Sequence, residues 1–393
     1  MNRPRPRRLF RRNDFDSIYY TSFQEIWDSG DVYADPSGWR DTESRAAALL
    51  PAIQIDESAL GRYYLDEGNT LGGLKTQILD LVGSWEKRCL DLNEITLYNS
   101  VSTAASAVLL TLKRRGARTV VFETPAYGVT VNQAKTLGYK VVLVPTYYED
   151  GFALAVDYDL LRREGPVVVW LTQPRMSLGF DQREEHVESL LSELSPRDHL
   201  VVDEATEQRC PPVLSGVSVN DRSQRVLRIR GLLKGLGLNG LRLACVLHSG
   251  ELREGLESAQ DVIGASLDLF SLQMAAELAK RKDVFFTMLS VANTQVTSLR
   301  RRAELLALAS QMRVSHLVNG YMGSVFIPLK GGNAKYKLNR DRLVSHCRAK
   351  RMPVILGSSM FFAFDPKWEQ IRFNYFSRES HILRAMEVLT AFS

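Results

Sequence analysis

Apolar residues recur along this chain in two rhythms, and the change from one to the other marks its plan. Short runs rich in β-branched residues occur at 119–122, 140–144, 167–171, 200–202, 226–229 and 241–247. They show little alternation of apolar and polar positions, the pattern of strands covered on both faces. Between them, 129–137 and 184–194 carry apolar residues at helical spacing, as does 71–85 ahead of a first strand near Ile95. Strands alternating with helices through short connections predict an α/β fold with a mostly parallel central sheet. In such sheets functional side chains gather beyond the strand ends. After about residue 250 the rhythm lengthens: 252–278 and 284–312 predict long helices that lead into a small α+β unit. That unit takes in a hairpin or edge strand at 318–329, a helix at 338–350, and two stretches at 354–361 and 370–375. Residues 13–60 show no clear period and are expected to form an irregular arm with one or two short helices. On this reading, 1–60 is an arm with part of a small domain, 61–280 a large domain, and 281–393 a C-terminal small domain.

Composition narrows the picture by exclusion. At 393 residues, 45% hydrophobic and 24% charged, the chain has the make-up of a globular protein with a sizeable core. Its net charge of +5 is small, and much of it lies in residues 1–12. That basic arm has one aromatic, Phe10, and no nucleic-acid-binding module follows it, so no nucleic-acid partner is expected. Its paired arginines precede polar residues rather than the apolar core of an export signal. No run approaches the ~20 apolar residues of a membrane span, and a cytoplasmic protein without a membrane partner is expected. Cys89, Cys210, Cys245 and Cys347 are scattered, as are six histidines, which fits reduced thiols and no metal site.

Candidate chemistry centres on residues 227–245. Lys234 is followed by Gly235, Gly237 and Gly240, and Arg242 comes eight residues after the lysine. Apolar flanks desolvate an amine, lower its pKa and favour the neutral nucleophile that forms a Schiff base; the same stretch also reads as a glycine-rich turn with two solvated charges. Asp203 ends an apolar run where a buried parallel strand stops. Lysine, aspartate and arginine in this arrangement suggest pyridoxal phosphate. Ser100, Ser102 and Thr103 open a helix after a strand, where backbone N–H groups and the helix dipole cradle a phosphate; an ordinary N-cap is the alternative. Tyr127 follows Pro125 at a strand end, which places a ring on a rigid turn.

These motifs resemble the fold-type I pyridoxal-phosphate enzymes, specifically the class I/II aminotransferase-like family, over roughly residues 60–375. The resemblance implies the aspartate aminotransferase-like fold, with a large domain and a small α+β domain, working as a homodimer. It implies that Lys234 forms the Schiff base, that Asp203 holds the pyridine nitrogen, and that Tyr127 stacks on the ring. Arg242, Ser100, Ser102 and Thr103 then bind the phosphate, with Tyr63 reaching the neighbouring subunit's cofactor and Tyr64 as its alternative. Arg372, on the family's last functional strand, matches the arginine that grips a substrate α-carboxylate, which implies an amino-acid or keto-acid substrate. Its planar fork suits that task. Trp39, Tyr33 and Arg175 are expected contributors to side-chain specificity.

The family pattern breaks around one cofactor atom. The asparagine that donates to the phenolic oxygen becomes Met176 when Pro174 and Gly179 are aligned, and a thioether cannot donate. The tyrosine that follows the aspartate by three residues becomes Thr206, whose hydroxyl donates over a shorter reach. Gln173 supplies an amide if the loop is shifted. Aminotransfer is the leading expectation; elimination, cyclisation or oxidation of an amino acid is the alternative these changes motivate, and a non-catalytic binding protein of the same fold is the third.

Overall fold

In the computed structural model, the described residues are 23, 25, 26, 28–38, 42–52, 72–152, 165–216, 225–263, 267–308, 310–315, 319–329, 333–360, 365 and 367–392. The β-branched runs form β1 (Ile95–Tyr98), β2 (Thr119–Thr124), β3 (Lys140–Pro145), β4 (Val167–Thr172), β5 (His199–Glu204), β6 (Val226–Gly231) and β7 (Ala244–Leu247). They make one sheet in the order β1-β7-β6-β5-β4-β2-β3. Strands β3, β2, β4, β5 and β6 run parallel, and β7 is antiparallel to both β6 and β1.

The sheet is buried on both faces, which explains the weak alternation in the sequence. Val120 and Phe122 enter one core and Val121 the other; in β4, Val168 and Trp170 oppose Val167, Val169 and Leu171 in the same way. The first face is covered by α2 (Val101–Arg114), α3 (Gly128–Thr136) and α5 (Arg253–Val262), after α1 (Gly72–Glu86) has packed into a further core. Alanines at 104, 105 and 107 let α2 lie close. The second face is covered by α4 (Glu184–Glu193), through Val187 and Leu190.

Two helices, α6 (Leu269–Lys280) and α7 (Lys282–Ala307), lead to an antiparallel three-stranded sheet of β8 (Arg313–Val314), β9 (Met322–Pro328) and β10 (Trp368–Asn374), ordered β10-β9-β8. Helices α8 (Asn333–Ala349) and α9 (Glu379–Thr390) complete the chain. Leu232, Leu233 and Leu236 of the lysine loop share one apolar cluster with residues of α1, α6, α7, β9, β10 and α9. The loop is thereby clamped between the two sheets.

Two expectations change. The helix expected over 252–278 is two helices, because Asp268 caps a new one by accepting the Ser271 N–H at 2.9 Å. The strand expected from 241 begins at Ala244, because Leu241 closes a turn onto the Leu238 carbonyl instead of entering the ladder.

Candidate active site

Gly231 ends β6 at a crowded point. A Cβ there would meet the Ala205 carbonyl oxygen at 3.0 Å, Lys234 Cβ at 3.3 Å and Val101 Cγ2 at 3.3 Å. The missing side chain lets the end of β5, the first turn of α2 and the lysine converge. Lys234 begins a short 3₁₀ turn, Lys234–Leu236, closed by Gly237, whose positive φ of 77° is one glycine adopts readily. Its flanking leucines are buried and the lysine itself is half-buried. Burial lowers the amine's pKa; Asp203 opposes this, while the guanidinium charges of Arg372 and Arg242 add to it.

Asp203 lies at the end of β5, 3% exposed, with Oδ1 accepting the Ala205 N–H at 3.0 Å. Burial pushes its carboxyl up to about 6 against the opposing pull of Lys234 and that N–H, with Glu204 adding to the rise. Thr206 follows two positions beyond the strand and is half-buried.

Ser100 caps α2: its Oγ accepts the Thr103 N–H at 3.1 Å and lies 2.8 Å from Thr103 Oγ1. The N-cap reading is therefore realised, and the half-buried hydroxyls of 100, 102 and 103 still ring a helix N-terminus beside Lys234. The ladder pairs Tyr98 with Ala244, and two positions beyond that pair stand Ser100 and the exposed Arg242. Tyr127 is half-buried in the N-cap position of α3, just past the end of β2.

Arg372 comes from the other sheet. Strand periodicity sends Ile371 and Phe373 into the apolar core and Arg372 to the opposite face. Its Nη2 donates to the Ser37 carbonyl at 2.5 Å, while Ser37 Oγ donates to the Arg372 carbonyl at 2.5 Å. The segment 34–38 thus braces this strand, helped by Asn374, which donates to the Gly38 carbonyl at 2.9 Å. Asp35, buried beside it, accepts the Gly38 N–H at 2.7 Å; burial raises its pKa against that bond and the charges of His381 and Arg372.

Other sequence-picked residues are engaged within the fold. Arg175 is buried in an ion pair with Glu123 at 3.2 Å and donates to Gln182 and the Phe152 carbonyl, so it braces a loop. Tyr33 is exposed, its ring 5.2 Å from the Arg384 guanidinium at the C-terminal helix. The Gln173 amide is committed: it donates to Asp181 at 2.7 Å and Glu207 at 3.4 Å and accepts the Gln182 N–H at 2.7 Å. Tyr63, Tyr64 and Trp39 lie outside the described residues. Sequence reading missed Ser37, which carries no motif, and Tyr321. The Tyr321 phenol is fully buried; that burial raises its pKa, Arg372 opposes, and Tyr127 and Asp203 add to the rise.

The donor set fits pyridoxal phosphate. A buried carboxylate with a raised pKa suits a protonated pyridine nitrogen, a desolvated amine suits an aldehyde, and hydroxyls at a helix N-terminus near a guanidinium suit a phosphate.

A family model described as aminotransferase class I and II matches residues 67–384. Among solved structures, aspartate aminotransferase of Thermotoga maritima is similar at 13% identity, with a TM-score of 0.73 over 97% of this chain and 96% of that one. A double mutant of Thermus thermophilus aspartate aminotransferase is 15% identical, with a TM-score of 0.73 over 96% and 97%. The Escherichia coli protein with a methionine aminotransferase function is 13% identical, with a TM-score of 0.71 over 98% and 100%. No curated protein sequence matches. Among the described residues no helix is long and apolar enough to cross a membrane.

Proposed function

The chain belongs to the class I and II aminotransferases, which depend on pyridoxal phosphate, and on that premise we propose how its own residues carry the reaction and bind its amino-acid or keto-acid substrate. The observation that carries this reading is the gathering of Asp203 from β5, Arg372 from β10 and Arg242 from the lysine loop within electrostatic reach of Lys234. When bound, the cofactor supplies an aldehyde that captures amines and a conjugated ring that takes up the electron pair left by a departing α-proton.

Ser100, Ser102, Thr103 and Arg242 would hold the phosphate, and Tyr127 would stack on the ring, where offset stacking contributes roughly 1 kcal/mol. Asp203 would keep the pyridine nitrogen protonated through a charge-assisted hydrogen bond. Lys234 acts first as nucleophile and then as the base that removes and returns the α-proton, a task favoured by its lowered pKa. Arg372, oriented by Ser37, takes the substrate carboxylate in its fork. The segment 61–280 carries the cofactor, and 281–393 brings the carboxylate site to it. We extend the proposal to a homodimer in which Tyr63 serves the neighbouring subunit. Four free thiols, two of them exposed, support a reducing, cytoplasmic setting. None of the findings favours elimination, cyclisation or oxidation.

The test is the absorption spectrum of the protein with pyridoxal phosphate, taken before and after a panel of amino acids, beside Lys234→Ala. A pH-dependent visible band that the variant lacks, and that one amino acid bleaches as the amine form of the cofactor accumulates, is the expected result. Ammonia release without that accumulation would overturn aminotransfer, and an identical band in Lys234→Ala would remove the lysine from its role.

A further inference from the structure

The phenolic oxygen of pyridoxal phosphate needs a hydrogen-bond donor when it carries charge, and the two side chains expected for it are absent. Met176 cannot donate, Gln173 is held by Asp181 and Glu207, and Thr206 is short. The structure packs the chain just ahead of β9 against this altered segment, and the next residue is a buried tyrosine. Gly320 packs directly on the altered segment: a Cβ there would meet Pro174 Cγ at 2.8 Å, the Thr206 carbonyl oxygen at 2.9 Å and Thr206 Oγ1 at 3.2 Å. At a φ of 70°, Gly320 leads straight into Tyr321.

The Tyr321 ring is fixed. Its centroid lies 4.9 Å from that of Phe376, and Phe376 Cδ1 lies 3.2 Å from where a Gly237 Cβ would stand, in the lysine loop. Its carbonyl accepts the Tyr375 N–H at 3.0 Å, which ties it to the end of β10 and so to Arg372. The charged and titratable groups that bear on its phenol are Arg372, Tyr127 and Asp203, three of the residues assigned to the cofactor and substrate. In the cofactor, the phenolic oxygen and the phosphate arm leave on opposite flanks of the line from ring nitrogen to aldehyde carbon. With the phosphate at the N-terminus of α2, the oxygen would lie on the opposite flank of the ring.

We propose that the Tyr321 hydroxyl donates to the phenolic oxygen of bound pyridoxal phosphate, replacing from the second sheet the asparagine and tyrosine that the first no longer supplies. The inference rests on the roles given above to Lys234, Asp203 and Arg372. Burial keeps the phenol protonated across the working pH range, so it remains a donor.

Spectrophotometric pH titration of the loaded protein reads this bond without measuring turnover. Deprotonation of the visible band leaves the full negative charge on the phenolic oxygen, and a donor there stabilises the deprotonated form. Tyr321→Phe therefore raises the midpoint by about one pH unit, the size expected for one hydrogen bond to a charged group, while Thr206→Val moves it less. A midpoint unchanged in Tyr321→Phe, or a larger shift in Thr206→Val, overturns the proposal. Should Tyr321→Phe fail to fold, 3-fluorotyrosine incorporated at position 321, a stronger donor, lowers the midpoint, and no change there also overturns it. Absence of a Lys234-dependent band in the unaltered protein is a separate result, which defeats the underlying reading of the site.

Discussion

A carboxylate buried at a strand end is costly until a cation reaches it, and Asp203 carries that cost in the fold itself. Its folded pKa of about 6 stands above the usual 3.8, so the folded state binds this proton more tightly than the unfolded one. The stabilisation is complete below 3.8 and is lost as pH rises through about 6. Urea midpoints of the cofactor-free protein between pH 4 and 7 are expected to show this fall, and Asp203→Asn to flatten it; parallel profiles would contradict the assignment. The sequence made this aspartate visible because it ends an apolar strand, and Lys234 because glycines follow it. Ser37 and Tyr321 carried no such signal, since one acts by exchanging hydrogen bonds with Arg372, 335 positions later, and the other follows a glycine that packs on the distant Thr206.

At the scale of elements, α1 is docked on the sheet by charge as well as by apolar contact. Arg228 and Arg230 sit two apart on β6 and share Glu204 of β5 and Glu86 at the end of α1. Arg228 meets Glu86 at 2.6 Å and Glu204 at 2.8 Å, and Arg230 meets Glu204 at 2.5 Å, all with side chains 1% exposed or less. The Arg230 guanidinium also lies 4.9 Å from the Trp85 ring. Burial works against the Glu86 charge, yet Arg230 and Arg228 outweigh it and hold its pKa at about 2. Glu86→Gln leaves two buried guanidiniums facing one carboxylate and is expected to destabilise the protein by about 3–5 kcal/mol, read as a lowered urea midpoint; a change under ~1 kcal/mol would show the cluster to be energetically idle. The strand was legible from its apolar positions, but the burial of its arginines was not, because their partner Glu86 lies 142 residues from Arg228.

The whole molecule joins a seven-stranded and a three-stranded sheet around one lysine loop. If the proposed homodimer is correct, sedimentation gives a mass twice the 44.3 kDa of the chain, and a single-chain mass at micromolar concentration would remove the role proposed for Tyr63. By itself the sequence determined the alternation of strands and helices, the parallel sheet, and the motifs that place a lysine, an aspartate and a group of hydroxyls at the ends of elements. Those are local properties: a period, a strand end, a helix start, each readable within a dozen residues. Tertiary structure alone decided that Arg175 and Gln173 are spent on loop contacts, that Ser37 orients Arg372, and that Gly320, just ahead of Tyr321, packs on Thr206. Each of these depends on which surfaces bury one another, and burial sets both the reach and the charge of a side chain through contacts between residues far apart in the chain.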